Sequence, residues 1–361
     1  MSAWKYKKVM PRVLVSKLRL IPTKEIVDLT GSPLDRIHAY LLKTSYQREI
    51  SELSPQQLTS ISIEEALLKN FLRTIEEIAL ASPRDIRNVL NRVLMKFEAG
   101  ALKAILRAKS AGLEFDEAMR YILPAGRLSA SRSAEIVRNS RSVRDVIENI
   151  SDMEYGAVLK EALPEYDNTG ALLPLETAID RYAYDRIMAA TRKLRGRDRK
   201  IAGTVLGLEI DSMNIRVILR FKETGISEDW AVRHLLPVSD VFSHEVLCEA
   251  LRAGEVELAI ERLMEAAKFN LARDYQLLLE ELMREYQAHR SLSRLESVLD
   301  RGLLKVNLRM LKRYTPFFNI GLILAFLNLK WFEMRNLRAI VRASDEKIPS
   351  ETTGRLLILP S

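Results

Sequence analysis

Histidine, cysteine and paired carboxylates are the side chains most able to carry chemistry, and this chain has few of the first two. It holds four histidines, His38, His234, His244 and His289, and a single Cys248. His244, Glu245 and Cys248 fall within HEVLC, with His234 nearby. A zinc site needs such groups to converge in ligand geometry, and HEVLC lacks the second histidine of H-E-x-x-H. Four histidines give no basis for a Ser–His–Asp arrangement. Neither G-x-x-x-x-G-K-[ST] nor G-x-G-x-x-G is present to cradle a phosphate. Acid pairs such as Asp180 and Asp185 have the spacing of ordinary helix-surface residues. The expectation is a protein with no catalytic residue, no cofactor and no metal.

A different constellation occurs three times. The stretch LEIDSMNIRVILRFK at 208–222 returns, altered, as MKFEAGALKAILRAK at 95–109 and KWFEMRNLRAIVRAS at 330–344. In register, each copy opens on an acid: Glu98, Asp211 and Glu333. A basic residue follows five positions later, at Lys103, Arg216 and Arg338, and an arginine nine positions later, at Arg107, Arg220 and Arg342. At about 100° per residue, each acid lies on or beside the apolar stripe and the basic residues lie roughly 140° and 180° away. An unpaired buried carboxylate costs several kcal/mol, so Glu98, Asp211 and Glu333 are expected to be paired structural acids. The six basic residues are candidates for gripping an acidic partner through charge-assisted hydrogen bonds. The alternative is that they brace a neighbouring unit or face water.

The elements that must position these residues read as helices throughout. Helices are expected over 34–50, from Ser62 to about residue 80 with Ser62 and Glu65 as a capping box, and from Ser82-Pro83 to about 110. Ser32 is expected to cap the helix that Pro33 begins. PEYDNTGALLP at 164–174 reads as a linker. Further helices are expected over about 175–195, 199–223, 227–235, 243–252 and 255–268, with Gly225 and Gly254 as punctuation. Residues 268–310 read as helical nearly throughout, and an apolar helix ends near Ala343. No alternating strand pattern is present.

The three copies stand 113 and 122 residues apart, too far for a solenoid repeat and right for triplicated small domains. SIEEALLK at 62–69, PLETAIDR at 174–181 and RLESVLDR at 294–301 extend the match upstream. Leu123-Pro124, Leu236-Pro237 and Leu359-Pro360 extend it downstream. KEIVDLTGSPLDRI at 24–37 matches AEIVRNSRSVRDVI at 134–147 without a gap, and Tyr46 falls near the place of Tyr155. The reading is therefore three helical units: 62–173, 174–290, and 291–361 completed by 1–61.

Composition sets outer bounds. Hydrophobic residues make up 47% and charged residues 29% of 361, as expected for a soluble helical chain. The apolar run Thr315–Leu329 is shorter than the ~20 residues that a spanning helix needs, so it reads as a core helix. The basic N-terminus leads into no unbroken apolar stretch, so no signal peptide is expected. A net charge of +8 points to nucleic acid, anionic lipid or an acidic protein as partner. The basic run at 192–200 carries no aromatic residue and reads first as a solvated turn between helices.

The motif D-x-x-N-I-R-x-I-L-R-x-K, repeated in helical units, resembles the C subunit of archaeal-type rotary ATP synthases, whose family includes the d subunit of vacuolar ATPases. LKTSYQREI at 42–50 resembles that family's L-x-x-T-x-Y segment, and LETAIDRYAYDRI at 175–187 its A-L-D-x-x-Y-Y segment. MRNLRAIVRASDEKIP at 334–349 is similar to its closing motif, with Ser344 where lysine is usual. Unit one has Ala101 where the others have Asn214 and Asn336. The resemblance covers nearly the whole chain. It implies an all-α funnel of three similar domains in pseudo-threefold arrangement, the N-terminal segment closing the third. It also implies a non-catalytic central-stalk (rotor) part of the complex, present in one copy at the cytoplasmic face of the membrane. The implied partners are the proteolipid ring and the D and F subunits of the central stalk, with no nucleic acid. The rival expectation is a basic helical nucleic-acid-binding scaffold.

Overall fold

Leu, Ile, Val and Ala at three- and four-residue spacing, with few glycines or prolines to interrupt them, produce a succession of helices among the described residues. The computed structural model describes residues 3–54, 58–224, 228–236, 241–269 and 273–359. After a single 3-10 turn at Ala3–Tyr6 come α1 (Met10–Leu18), α2 (Thr23–Asp28), α3 (Leu34–Leu41), α4 (Gln47–Ile50), α5 (Ser60–Ala81) and α6 (Arg84–Val93). Next are α7 (Met95–Ser110), α8 (Phe115–Tyr121), α9 (Ala130–Asn139), α10 (Val143–Asn149), α11 (Glu154–Thr169), α12 (Leu173–Arg192) and α13 (Gly196–Thr224). The remainder is α14 (Glu228–His234), α15 (His244–Arg252), α16 (Val256–Phe269), α17 (Arg273–His289), α18 (Leu292–Tyr314), α19 (Ile320–Asp345) and α20 (Ser350–Leu356). Among the described residues the only strand-like pairing is an isolated bridge between Ala125 and Leu128.

Several boundaries differ from the sequence reading, each for a local reason. The helix expected over 34–50 is two helices, because Thr44 Oγ1 turns back to donate to Leu41 O at 2.8 Å. Pro33, not Ser32, occupies the cap before α3. Ser62 lies inside α5. Thr59 is the cap, its Oγ1 accepting from Ser62 N at 3.1 Å while Ser62 Oγ accepts from Thr59 N at 3.0 Å. The helix expected from Ser82-Pro83 to 110 is interrupted at Leu94, which begins α7 as its cap. The expected linker at 164–174 is mostly helix: α11 runs through Pro164 to Thr169 and stops at Gly170, whose φ of +68° is the left-handed form that glycine adopts freely. Pro174 then sits in the first turn of α12, where a missing N–H costs nothing. Gly225, Pro237 and Pro360 lie outside the described residues.

The chain divides into two compact units: residues 1–87, 196–205 and 284–361, and residues 88–195 and 206–283. The first is built around α19. Ile320 to Leu327 are all buried, as an all-round apolar helix requires, so this part of the apolar run enters a protein core, whereas Pro316, Phe317 and Phe318 lie exposed in the turn before α19. α19 packs on α18 and α5 and touches α1, α3 and α20. Its start is tight: a Cβ on Gly321 would stand 2.6 Å from Ile201 and from the Tyr314 ring. The second unit is built around α7. Leu102, Ile105 and Leu106 join Val137, Val146, Ile147, Leu159 and Ile179 in one apolar cluster. No helix among the described residues is long and apolar enough to cross a membrane.

Candidate functional site

The repeated acids are all buried and are all met by the backbone. Glu98 accepts the Arg127 N–H. Asp211 accepts the Val241 N–H at 3.2 Å, and Glu333 accepts the Ile21 N–H at 2.5 Å. Each donor lies two or three residues ahead of a short helix, α9, α15 or α2 respectively. The acid on each long helix thus holds the entry to a short one, and a hydrogen bond to a charged acceptor contributes about 1.5–3 kcal/mol. Glu333 is the most heavily engaged. Lys330 Nζ donates to it at 2.7 Å and Tyr46 Oη at 2.9 Å. Lys330 also donates to Ser45 Oγ at 3.0 Å and stands over the Tyr46 ring at 3.7 Å. Glu98 Oε1 is buried and has no hydrogen-bond partner among the described residues. Burial raises its pKa above the usual carboxylate range, with the Arg127 charge opposing.

Lys103, Arg107, Arg338 and Arg342 form ion pairs between helices. On α7, Lys103 Nζ meets both oxygens of Asp180 on α12, at 2.7 and 2.8 Å. Arg107 clamps Glu176 on the same helix through Nε at 2.5 Å and Nη2 at 2.8 Å, a planar fork that lysine lacks. On α19, Arg338 and Arg342 share Glu64 of α5 at 2.7 Å each. Arg216 and Arg220 are half-buried on α13, with the Arg216 charge acting on Tyr184. The face opposite the acids is therefore packed against another helix in α7 and α19, although the Arg107 side chain stays 57% exposed. Glu64 and Glu176 occupy the same place in SIEEALLK and PLETAIDR, so the shared position of the two acids is legible in the sequence although their pairing is not.

A second clasp belongs to the position that Ala101 fills in the first copy of the repeat. Asn214 donates to Leu236 O at 3.2 Å and accepts from Leu236 N at 2.7 Å. Asn336 treats Ile358 identically, at 2.8 Å in both directions. In each case one amide satisfies both backbone groups of a residue 22 positions on. Alanine at 101 has no side-chain polar atom for this.

His244 Nε2 lies 3.5 Å from Cys248 Sγ, one turn along α15, and burial raises the thiol's pKa, the reverse of an activated thiolate. His234 instead stacks on Trp230 at 3.7 Å. Among the described residues, no three His, Cys, Asp or Glu are grouped to hold a metal ion.

Long helices whose recurrent polar groups clasp backbone and neighbouring helices define a helical scaffold. The chain belongs to the ATP synthase (C/AC39) subunit family, whose model matches residues 9–356. It is 25% identical over 354 residues to the C subunit of the A-type ATP synthase of Methanocaldococcus jannaschii, covering 98% of this chain and 86% of that one. It is 28% identical over 284 residues to the protein of the same name from Methanothermobacter thermautotrophicus, covering 79% and 71%. A third relative so named, from Halorubrum lacusprofundi, is 25% identical over 353 residues, covering 97% of each chain. The nucleic-acid-binding alternative finds no support in these matches.

Proposed function

We propose that the chain serves as the C subunit of an A-type ATP synthase: a non-catalytic rotor part, one copy per complex, at the cytoplasmic face of the membrane. It joins the proteolipid ring to the axle formed by the D and F subunits and passes rotation between ion transport and ATP chemistry. The relatives' shared name supports membership. The observation that carries the coupling role is the ion pairing between long helices, Arg107 and Lys103 to α12, and Arg338 and Arg342 to α5. A part that transmits torque must resist shear between its helices, and paired charges with fixed geometry oppose such sliding.

The same reading arranges the chain as three similar units, 62–173, 174–290 and 291–361 with 1–61, in a funnel-like pseudo-threefold. Contacts of the N-terminal segment with the last helices support that closure: Ile21 and Tyr46 with Glu333, Lys17 with Thr315, and Thr30 with Ser350. The helix faces that carry Lys103, Arg107, Arg216, Arg220, Arg338 and Arg342 are proposed to meet the axle. The test is capture of a D–F pair and of ring-bearing membranes by the full chain, with a triple Arg107, Arg220 and Arg342 to Gln variant alongside. Capture of both, with faster release of D–F by a folded variant, is expected. Release at the wild-type rate across a salt series removes these arginines from the grip, and failure to capture either partner removes the proposed role.

A further inference from the structure

One end of the α19-centred unit carries exposed apolar side chains that its fold does not use. Phe317 and Phe318, in the turn between α18 and α19, are 51% and 41% exposed. Leu18, at the end of α1, is 83% exposed, and Trp4 is 79% exposed. Contacts tie these residues into one region. Lys17, beside Leu18, donates to Thr315 Oγ1 at 3.1 Å, two residues before Phe317. The Arg197 guanidinium stands 5.3 Å from the Phe317 ring centroid, and the neighbouring Asp198 pairs with Lys5, beside Trp4, at 2.7 Å. Buried Tyr6 lies against Asp198 and Ile320.

The charge around these side chains is mostly positive. Residues 1–24 contain seven basic residues and no acid, and no acid lies between Asp300 and Glu333. Two acids reach the region, buried Asp198 and exposed Asp85, and both are paired with Lys5, at 2.7 and 3.0 Å. Lys7, Lys8, Lys312 and Arg313 are exposed and form no ion pair among the described residues. They contrast with the repeated basic residues, most of which hold carboxylates. Aromatic and aliphatic side chains that protrude among unpaired cations match the interface of an anionic bilayer: rings and leucine enter the headgroup boundary, and cations meet the phosphates.

We propose that this patch, centred on Phe317, Phe318, Leu18 and Trp4, contacts anionic lipid headgroups directly. The inference rests on the peripheral membrane role proposed above and adds a lipid contact to it. The experiment sediments the purified full chain with phosphatidylcholine vesicles, with vesicles also containing phosphatidylglycerol, and with ring-bearing membranes. Binding is expected to the anionic vesicles only among the two lipid mixtures, and it weakens as salt screens the charges. The Phe317→Ser/Phe318→Ser variant, altered at exposed positions, is expected to lose roughly tenfold or more in affinity. A Lys312→Gln/Arg313→Gln variant is expected to lose the salt dependence in part. Wild-type Trp fluorescence shifts to the blue on the anionic vesicles, and Trp4→Phe abolishes that shift. Equal binding by the wild type and the Phe317/Phe318 variant overturns the proposal. So does binding to ring-bearing membranes without binding to anionic vesicles, which leaves the proposed function standing. Failure to bind either overturns both.

Discussion

The hydroxyl of Tyr46 donates to the carboxylate of Glu333 at 2.9 Å across 287 positions of chain. Lys330 completes the arrangement at 2.7 Å, and all three side chains are buried. The N-terminal segment is thus fastened to α19 by a buried charged group. Glu333→Ala should cost about 3–5 kcal/mol, because it leaves the Lys330 ammonium buried and unpaired. Tyr46→Phe should cost about 1–2 kcal/mol. The double change Glu333→Leu with Lys330→Met should recover on the order of 1–4 kcal/mol of the single loss. Urea unfolding of the four proteins measures this. A double variant no more stable than Glu333→Ala would show that the unpaired Lys330 charge is not the source of the loss.

The asparagine clasps predict a local effect. Asn336→Ala leaves both the N–H and the C=O of Ile358 without their partner, at about 1–3 kcal/mol for each buried group. Hydrogen exchange at the Ile358 amide should accelerate, and Asn214→Ala should do the same at Leu236. Unchanged exchange at Ile358 in a folded Asn336→Ala protein would mean that the segment after α20 is held by packing alone.

Glu98 predicts a pH effect. Burial holds its pKa above the usual carboxylate range, so the folded chain keeps this proton at pH values where the unfolded chain has lost it. Stability therefore falls as pH rises from the ordinary glutamate value, about 4.3, through the raised folded value. Glu98→Gln cannot ionise and should flatten that decline. The stability difference between variant and wild type should move in the variant's favour as pH increases, read as unfolding midpoints from about pH 4 to 8. A difference that is constant across the range would mean that Glu98 titrates at its ordinary value.

What the sequence discloses about these sites follows from what periodicity can encode. Helical spacing places Glu98, Asp211 and Glu333 beside the apolar stripe, and each is buried. The same wheel sets Arg338 and Arg107 on the opposite face, but it cannot show that a second helix lies there. Glu64 and Glu176 are distant in sequence from the arginines they hold, and pairing is set by helix packing. Lys330 is opaque to periodicity, because a lysine within an apolar run reads as a break in the pattern, and only the position of Glu333 three residues on gives it a partner. Boundaries shift where a side chain redirects the backbone. Thr44 ends a helical run and Thr59 begins one, each through a single hydroxyl whose partner periodicity does not reveal.

If this chain is the mechanical link between membrane rotor and axle, gradient-driven ATP synthesis must depend on it. The most direct test is reconstitution of an A-type synthase in vesicles, with the ring sector and the ATP-hydrolysing sector supplied separately and the chain added or withheld. With the chain present, the two sectors should associate, and an imposed ion gradient should drive ATP synthesis. Without it, the soluble sector should still hydrolyse ATP but make none under the gradient. Gradient-driven synthesis at the same rate with and without the chain would contradict the proposed role.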